Sequence, residues 1–471
     1  MVNIFGYILN RVGEAEYEME KDYQGAPLRI FAEEGLLKQM DEAVFIQGKN
    51  VAQLPGLVGP VLIMPDAHSG YGAPIGTVFA MDSNHGYISP GAVGYDINCG
   101  MRLIKTNLCH EEIKPHLEKL VNMLFDYVPP GLGRRGFLKV NKKELKQLVE
   151  EGVPHLIKKG IGWEEDISRI EEQGKIQDAD FSCVSKEAAD RGISQLATLG
   201  SGNHYLEIQV VEAILDQEKA KELGIFKKNQ ITVMIHCGSR GFGHQVCSDY
   251  LRIFEKHRSE FKIALSDRQL VSAPLYSSPA KHYFSAMAAA ANFAFANREA
   301  ITHKIRMVFE KVLGKKAQTL GMKLVYDVAH NIAKFEQHQI PKSKKQGRFL
   351  IHRKGATRSF PNLPVIIGGS METGSYLLIG TREAATKSFG STAHGSGRTM
   401  SRAKAKRIVC GDKLWQEMKN KGIYVKSVSS AGLAEEAGLA YKNISDVIKS
   451  IDAAGLSKPV AYLRPIGNIK G

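Results

Sequence analysis

The sequence contains few cysteines, and their spacing is irregular. Its 471 residues include six, none in a Cys-x-x-Cys pair, which argues against both a disulfide framework and the usual paired-cysteine zinc site. Long apolar runs are also absent: none approaches the roughly 18 residues of a membrane span, and Arg11 interrupts the first apolar stretch too early for a signal peptide. We therefore expect a soluble, cytoplasmic protein with reduced thiols.

Several common catalytic and nucleotide-binding motifs are missing as well. There is no Gly-x-x-x-x-Gly-Lys-[Ser/Thr] phosphate loop, no His-Glu-x-x-His helix, and no Lys-x-Asp-Gly, the motif around the nucleophilic lysine of ordinary nucleotidyl-transferring ligases. Residues 131–136 match Gly-x-Gly-x-x-Gly, but they follow Pro129 and Pro130 instead of a hydrophobic strand. A dinucleotide site is therefore not expected there.

Positive charge is abundant and unevenly distributed. The chain has 63 Lys and Arg against 49 Asp and Glu, a formal charge of +14. Residues 341–410 alone hold fourteen of the bases and two of the acids, an excess of twelve, so the rest of the chain is nearly neutral. This concentration indicates a polyanionic partner such as nucleic acid. The alternative is a set of solvated surface lysines.

The apolar pattern predicts the fold class. Hydrophobic residues make up 43% and charged residues 24% of the chain, the balance of a folded globular protein. Residues 232–235 and 323–328 predict buried strands that each lead to a histidine, and residues 282–313 predict an alanine-rich core helix. We predict an α+β fold: a single large body of mixed β-sheets with surrounding helices, and an active site in a central cleft at strand ends.

The sequence shows no internal division. It has neither a repeat of fixed period nor a Pro- or Ser-rich linker, so we predict one domain over residues 1–471. Residues 137–190 are rich in Lys and Glu at helical spacing and predict a charged helical excursion. Residues 14–21 are also highly charged and predict a surface helix or loop.

Five residues that can bind metal follow strand-like runs or lie beside glycine. They are Asp96, Cys99, His204, His236 and His330. A carboxylate and a thiolate three residues apart can bind one ion, and a thiolate can bridge to a second. Each histidine alone is more often structural, but the five together predict a metal centre. Imidazole and thiolate ligands favour zinc or iron, and this chemistry alone predicts zinc.

His394 lies among small residues inside the basic segment, in the stretch 389–398. Small neighbours allow a bulky phosphorylated ligand to approach the imidazole, and their backbone N–H groups can bind phosphate oxygens. The alternative is a glycine-rich loop with an incidental histidine. The residues alone leave both interpretations open.

Seven motifs occur in order from about residue 60 to the C-terminus. They are Pro-Asp-Ala-His-Ser-Gly-Tyr-Gly at 65–72, Asp-Ile-Asn-Cys-Gly at 96–100, Gly-Asn-His at 202–204, His-Cys-Gly-Ser-Arg-Gly at 236–241, Ala-His-Asn at 329–331, His-Gly-Ser-Gly-Arg at 394–398 and Gly-Asn-Ile-Lys-Gly at 467–471. Together they resemble the RtcB family of RNA-splicing ligases. Residues 137–190 and 434–441 are less similar to the family, so no function is transferred to them.

The resemblance implies an enzyme that uses GTP and two Mn²⁺ ions to join an RNA 3′-phosphate or 2′,3′-cyclic phosphate end to a 5′-hydroxyl end. Asp96, Cys99 and His204 would hold one Mn²⁺. Cys99, His236 and His330 would hold the other, with Cys99 as the bridge. Mn²⁺ would then replace the zinc that the ligands alone predict.

The resemblance also implies how GTP is used. His394 would be the nucleophile that takes GMP, which then passes to the RNA to give an RNA-ppG intermediate. The residues that would line the guanylate site are Asn203, Glu207, His330, Asn331, Ser370, Ser375, Gly395, Gly397 and Lys470. Asp66 and Arg240 lie in the matched motifs, and we expect them to position the RNA ends.

The expected partners are GTP and RNA, as transfer-RNA halves or broken RNA ends, without a membrane. Archease, a small activating protein that often accompanies this family, is a candidate partner. The expected function is tRNA splicing or RNA repair. Two alternatives stay open: a metal-dependent RNA phosphodiesterase or phosphatase without ligation, and a basic RNA-binding protein with a structural metal.

Overall fold

The structure, a computed structural model, describes residues 1–261, 263, 267–341, 343 and 345–471. The strands are β1 (Val2–Ile4), β2 (Tyr7–Gly13), β3 (Glu16–Met19), β4 (Leu28–Phe31), β5 (Leu57–His68), β6 (Ile75–Asp82), β7 (Tyr87–Ile88), β8 (Gly100–Cys109), β9 (Tyr205–Ile214), β10 (Gln230–Cys237), β11 (Ala273–Pro274), β12 (Lys323–Ala329), β13 (Asn331–Gln339), β14 (Gln346–Lys354), β15 (Ala356–Arg358), β16 (Pro364–Gly368), β17 (Ser375–Gly380), β18 (Ser391–Ala393), β19 (Tyr424–Ser427) and β20 (Ser457–Lys470). The α-helices are α1 (Glu34–Leu37), α2 (Glu42–Ala52), α3 (Pro90–Val93), α4 (His110–Ile113), α5 (Leu117–Tyr127), α6 (Lys142–Glu151), α7 (Val153–Lys158), α8 (Glu164–Ile167), α9 (Lys186–Gln195), α10 (Gln217–Glu222), α11 (Arg240–Lys256), α12 (Arg258–Phe261), α13 (Ser278–Leu313), α14 (Arg382–Lys387), α15 (Arg402–Ile408), α16 (Gly411–Asn420), α17 (Ser430–Glu435) and α18 (Ile444–Ala453).

Most strands belong to two large sheets. The first has the order β1-β2-β3-β4-β5-β6-β14-β13, with β4 parallel to β5 and the other neighbours antiparallel. The second has the order β12-β8-β10-β9-β20-β17-β16, and β19 runs parallel to β20 beside it. Mixed sheets with surrounding helices confirm the predicted α+β class.

The 36-residue helix α13 lies at the centre of the helical layer. Ser277 caps its start by accepting a hydrogen bond from the Ala280 N–H, and the left-handed Gly314 ends it. Alanines 288–291 are fully buried, and their small side chains let α5, α6, α7 and α11 pack against this helix. The core helix predicted over residues 282–313 is therefore present and begins four residues earlier. No helix in the described part of the chain is long and apolar enough to cross a membrane.

Residues 137–190 contain α6, α7 and α8 and the start of α9. Leu145, Leu148 and Val149 of α6 are buried, and α6 and α7 both pack against α13. The segment therefore covers the core helix with an apolar face, and two of its acids, Asp166 and Glu171, are buried against Arg306 and Lys334. The single domain predicted over residues 1–471 stays a prediction.

The prediction for residues 14–21 is wrong. They contain β3, which pairs with β2 and β4. Tyr17 and Met19 are buried, and buried Glu16 has its carboxylate 3.3 Å from Arg29 Nε on β4. The density of charge suggests a solvent-exposed segment, but the apolar residues alternate with the period of a strand. The buried charge of Glu16 is compensated by Arg29 on the neighbouring strand.

A buried ionic cluster joins α13 to the strands that carry the predicted ligands. Arg102 of β8 and Arg298 of α13 are fully buried, and both donate to Asp327 of β12 at 2.6 to 2.8 Å. Arg298 also donates to the backbone carbonyls of Asn98 and Cys237 at 2.8 Å. Each of these carbonyls lies one residue from a predicted metal ligand, so the cluster fixes the backbone of the site.

Replacing Asp327 with asparagine should destabilise the protein strongly, because two buried guanidinium groups would lose the carboxylate they share. We expect the free energy of unfolding to fall by about 3–5 kcal/mol, measured by thermal or urea unfolding. Lys38→Ala is the control, since its ion pair with Glu34 is exposed and should contribute little to stability. Equal losses in the two variants would contradict a structural role for the cluster.

Candidate active site and metal centre

Four neighbouring strands bring the predicted metal ligands to one edge of the second sheet. In the order β12-β8-β10-β9 all neighbours are antiparallel, so the start of one strand lies beside the end of the next. Cys99 and His204 directly precede β8 and β9. His236 lies near the end of β10, and His330 directly follows β12. Residues far apart in the sequence therefore meet.

The five side chains form two overlapping triads that share Cys99. Cys99 Sγ lies 3.4 Å from His204 Nε2 and 3.2 Å from His236 Nε2. His204 Nε2 is also 2.7 Å from Asp96 Oδ2. On the other side, His236 Nε2 is 3.4 Å from His330 Nε2. The donor atoms of each triad lie within 4.8 Å of one another, so each triad could hold one metal ion.

Burial sets the protonation of these groups. It raises the pKa of the Cys99 thiol well above its ordinary value and lowers the pKa of His236 and His330 well below theirs. Burial also opposes the charge of Asp96, but the adjacent His204 outweighs it and the pKa of Asp96 is lowered. The buried imidazoles are thus neutral and offer lone pairs to a cation, whereas the thiol must lose its proton to become a ligand.

Arg240 contacts one of the predicted ligands directly. It begins α11 with a left-handed backbone of φ 56°, and its Nη1 donates to His204 Nδ1 at 2.9 Å. A Cβ on Gly200 would come within 2.0 Å of the same Nη1, so glycine is needed there for the guanidinium to reach the histidine.

His394 follows β18 and lies beside the second triad. Its ring centroid is 4.8 Å from that of His330. Its Nδ1 is 2.6 Å from Oδ2 of Asp66 on β5, and the same oxygen accepts the backbone N–H groups of His394 and Gly395 at 3.1 Å. A neutral imidazole with its Nδ1 proton toward this carboxylate keeps a lone pair on Nε2.

The loop that carries His394 lies directly on β5. Gly397 has φ 73°, and a Cβ there would come within 1.9 Å of the Asp66 carbonyl oxygen. Burial opposes the charge of the Asp66 side chain, but His394 outweighs it and the pKa of Asp66 is lowered. Sequence reasoning expects Asp66 at the RNA ends. The structure places it against His394, where it orients the imidazole.

Two cavities meet at His394. The larger has a volume of about 640 Å³ and is lined by both triads; the smaller has about 40 Å³. Asn203, His236 and His394 line both. The larger cavity has the volume of a small-molecule site, whereas the smaller has room for a few water molecules.

Comparison with known proteins decides the family. Residues 47–471 match the family model described as tRNA-splicing ligase RtcB. The chain belongs to the RtcB family. The tRNA-splicing ligases RtcB of Nanoarchaeum equitans and Archaeoglobus fulgidus are 48% and 46% identical to it, over 98% of this chain and 99% of each relative. RNA-splicing ligase RtcB homolog 1 of Entamoeba dispar is 48% identical, over 90% of this chain and 81% of its own length. The resemblance inferred from the motifs is confirmed, and with it RNA ligation as the class of function.

The structure divides the guanylate residues implied by RtcB membership into three groups. The small cavity is lined by Asn203, Ser370, Gly395, Gly397 and Lys470. The large cavity is lined by His330 and Asn331, and again by Asn203. Glu207 and Ser375 are buried and line neither of these two cavities. The assignment of all these residues to guanylate stays a prediction.

A hydrogen-bonded chain connects Glu207 to Ser375. Gln209 Nε2 donates to Glu207 Oε2 at 2.8 Å and to Ser375 Oγ at 3.3 Å. Asn468 Nδ2 donates to Glu207 Oε1 at 2.5 Å. Glu207 lies on β9 with Tyr205, and Asn468 lies on β20 with Lys470. Tyr205 and Lys470 line the small cavity. Burial raises the pKa of Glu207 to about 7.

Glu436 lines the small cavity, and sequence reasoning missed it. Its carboxylate accepts hydrogen bonds from Arg398 Nη1 at 3.3 Å and Arg402 Nε at 3.1 Å, and it accepts another from the Tyr441 hydroxyl. Burial opposes its charge, but Lys470 and these arginines outweigh it and hold its pKa at about 2. A ligand that enters this cavity therefore meets a charged carboxylate in the wall. No motif pointed to Glu436, because it lies in residues 434–441, one of the two stretches that are less similar to the RtcB family.

Acids from elsewhere in the chain partly neutralise the basic excess of residues 341–410. Arg353 is fully buried and donates to Glu336 at 2.7 and 2.8 Å, and buried Arg398 pairs with Glu436. The exposed cations of the segment are Lys345, Arg348, Arg382, Arg402, Lys404, Lys406 and Arg407, while Lys342 and Lys344 lie outside the described residues. The net charge of the segment therefore overstates the positive surface open to RNA.

Replacing Glu207 with glutamine should change how stability depends on pH. The wild-type carboxyl pKa of about 7 exceeds its ordinary value of 4.5, so the unfolded chain loses this proton first as pH rises. The penalty for charging the buried group is small at pH 5 and complete above pH 7. Relative to wild type, the variant should therefore gain about 2–3 kcal/mol in the free energy of unfolding between pH 5 and pH 8.

The control for this measurement is Glu212→Gln on the same strand. The Glu212 side chain is 45% exposed, so this variant removes a carboxylate that is in contact with water from the same strand. Urea unfolding of the three metal-free proteins gives the comparison. A Glu207→Gln effect that is independent of pH would contradict the raised pKa.

Proposed function

We propose that the protein joins RNA 3′-phosphate or 2′,3′-cyclic phosphate ends to 5′-hydroxyl ends, using GTP and two Mn²⁺ ions. The names of its relatives support a role in tRNA splicing, and repair of broken RNA would use the same ends. One observation carries the proposal. His394, oriented by Asp66, lines both cavities and lies beside the second of two candidate metal triads that share Cys99.

The donor atoms fit a pair of divalent ions. One carboxylate, one thiol and three imidazoles form the two triads, and three ligands per ion leave positions for oxygens of phosphate and water. The ligand types alone favour zinc, so the proposal of Mn²⁺ rests on family membership. Such ions, when bound, neutralise the phosphate oxygens and the departing pyrophosphate.

His394 is the nucleophile of the first step. Its Nε2 attacks the α-phosphate of GTP, a P–N bond forms, and pyrophosphate leaves. Asp66 keeps the Nδ1 proton in place and stabilises the positive charge that the ring gains during the attack. Gly395 and Gly397 leave room for the phosphate beside the imidazole.

GMP then moves from the protein to the RNA. An oxygen of the RNA 3′-phosphate attacks the GMP phosphorus, the P–N bond breaks, and His394 regains its lone pair. The 5′-hydroxyl of the second RNA attacks the RNA-side phosphorus of this RNA-ppG end, which forms the phosphodiester and releases GMP. A cyclic phosphate is first opened by water to the 3′-phosphate.

Arg240 is the residue that we assign to the RNA 3′-phosphate. It donates to His204 Nδ1, which requires the ring proton of His204 to be on Nε2. If Nε2 of His204 binds a metal ion, the ring proton must be on Nδ1 instead. Nδ1 can then no longer accept the hydrogen bond from Arg240. Its guanidinium becomes available to a phosphate, for which Arg geometry is well suited.

His394→Ala should abolish self-guanylylation. Wild-type protein incubated with Mn²⁺ and GTP labelled in the α-phosphate should carry label after denaturation, in an acid-labile and alkali-stable bond, because a phosphoramidate has that stability. His257→Ala is the control, since His257 lies on the surface at the end of α11 and pairs with Glu260; it should be labelled like wild type. An unlabelled wild-type chain, or label in His394→Ala, would refute the nucleophile. Hydrolysis of RNA phosphates by an unlabelled wild-type chain would favour the phosphodiesterase or phosphatase.

Cys99→Ala should remove metal from both triads, because the thiol belongs to both. Elemental analysis after Mn²⁺ loading should find two ions per wild-type chain and fewer than one in the variant. Cys237→Ala is the control: Cys237 is also buried and adjoins His236, but its Sγ donates to the Leu199 carbonyl at 2.9 Å and belongs to neither triad. Two ions in Cys99→Ala would refute the shared ligand.

A further inference from the structure

The wall of the large cavity carries a stack of aromatic rings that the proposed chemistry does not use. Tyr95 and His244 both line the cavity. Their ring centroids are 4.6 Å apart with an angle of 27° between the planes, and the ring of Tyr71 contacts Tyr95 edge-on at 5.2 Å. Tyr95 is therefore held between two rings, and His244 forms the end of the stack.

The ring of His244 is exposed and could stack against a ligand. Its side chain is exposed, and no hydrogen bond to either of its ring nitrogens is found within the described ranges of the chain. Burial of its environment and the nearby Arg191 lower the pKa of His244, so the ring is neutral at physiological pH. A neutral, exposed ring at the end of a stack presents a flat face at which another flat ring can bind.

The stack lies close to the candidate metal centre. Tyr95 directly precedes Asp96, a member of the first triad. His244 lies four residues after Arg240 on α11, and both residues line the large cavity. Arg240 in turn contacts His204 of the first triad. A nucleotide with its phosphate at Arg240 would therefore have its base within reach of His244.

We propose that His244, supported by Tyr95, is the stacking site for the base of the 3′-terminal nucleotide of the RNA. The inference rests on the proposed function, since it takes the 3′-phosphate to bind at Arg240. Stacking on an aromatic face is tolerant of base identity, because every base has a π-face. Such a site would orient an RNA end without selecting its sequence.

The test uses a short RNA with a 3′-phosphate and the fluorescent base 2-aminopurine at its 3′-terminal nucleotide. Binding to wild-type protein should quench the fluorescence, because stacking quenches this base. His244→Ala should lose the quenching and bind the RNA about tenfold more weakly, whereas His244→Phe should retain both. The matched ligand is the same RNA with an abasic 3′-terminal nucleotide, which should bind His244→Ala and wild type equally.

Three results would overturn the proposal. The first is equal quenching by His244→Ala and wild type, and the second is quenching only when the probe is at the 5′-terminal nucleotide of a 5′-hydroxyl RNA. The third is that His244→Ala loses as much affinity for the abasic RNA as for the RNA with the base. The assay needs no GTP, so it is separate from self-guanylylation. A wild-type chain that quenches the probe but takes no label from GTP would refute the ligase mechanism and leave the stacking site standing.

Discussion

Two buried arginines and one aspartate hold the ends of the strands on which the candidate site is built. Arg298 of α13 connects Asp327 of β12 to the carbonyls of Asn98 and Cys237. The two carbonyls adjoin Cys99 and His236, and Asp327 lies on the strand that leads to His330, so one guanidinium connects the segments from which these ligands project. Paired buried charges of this kind are costly to disrupt, because removal of one partner leaves the other uncompensated in a dry interior.

The chemistry of the site follows from this rigid frame and from burial. Neutral imidazoles and a protonated thiol can lie close together because they do not repel one another strongly. A cation could bind to the imidazole lone pairs and to the thiol after it loses its proton. Asp66 holds the imidazole of His394 from the other sheet. His394, the proposed nucleophile, follows β18 of a separate two-stranded sheet, whereas the triads lie at strand ends of the second large sheet.

The sequence predicts the residues of the site better than their arrangement. His236 and His330 can be assigned to strand ends from the apolar runs before them, but their meeting depends on the antiparallel order of four strands, which no local pattern contains. The role of Asp66 follows from its contact with a loop more than 300 residues away. Charge is the least reliable signal. Residues 16–19, inside the charged stretch 14–21, form a strand. Arg353 and Arg398 are neutralised by acids from outside the basic segment.

The central claim is that one thiol, Cys99, serves two metal ions beside His394. Anomalous X-ray diffraction from crystals soaked in Mn²⁺ and GTP tests it most directly. Two anomalous peaks should appear, both within bonding distance of Cys99 Sγ, one next to Asp96 and His204 and the other next to His236 and His330. A single peak, or two peaks of which only one contacts Cys99, would contradict the account.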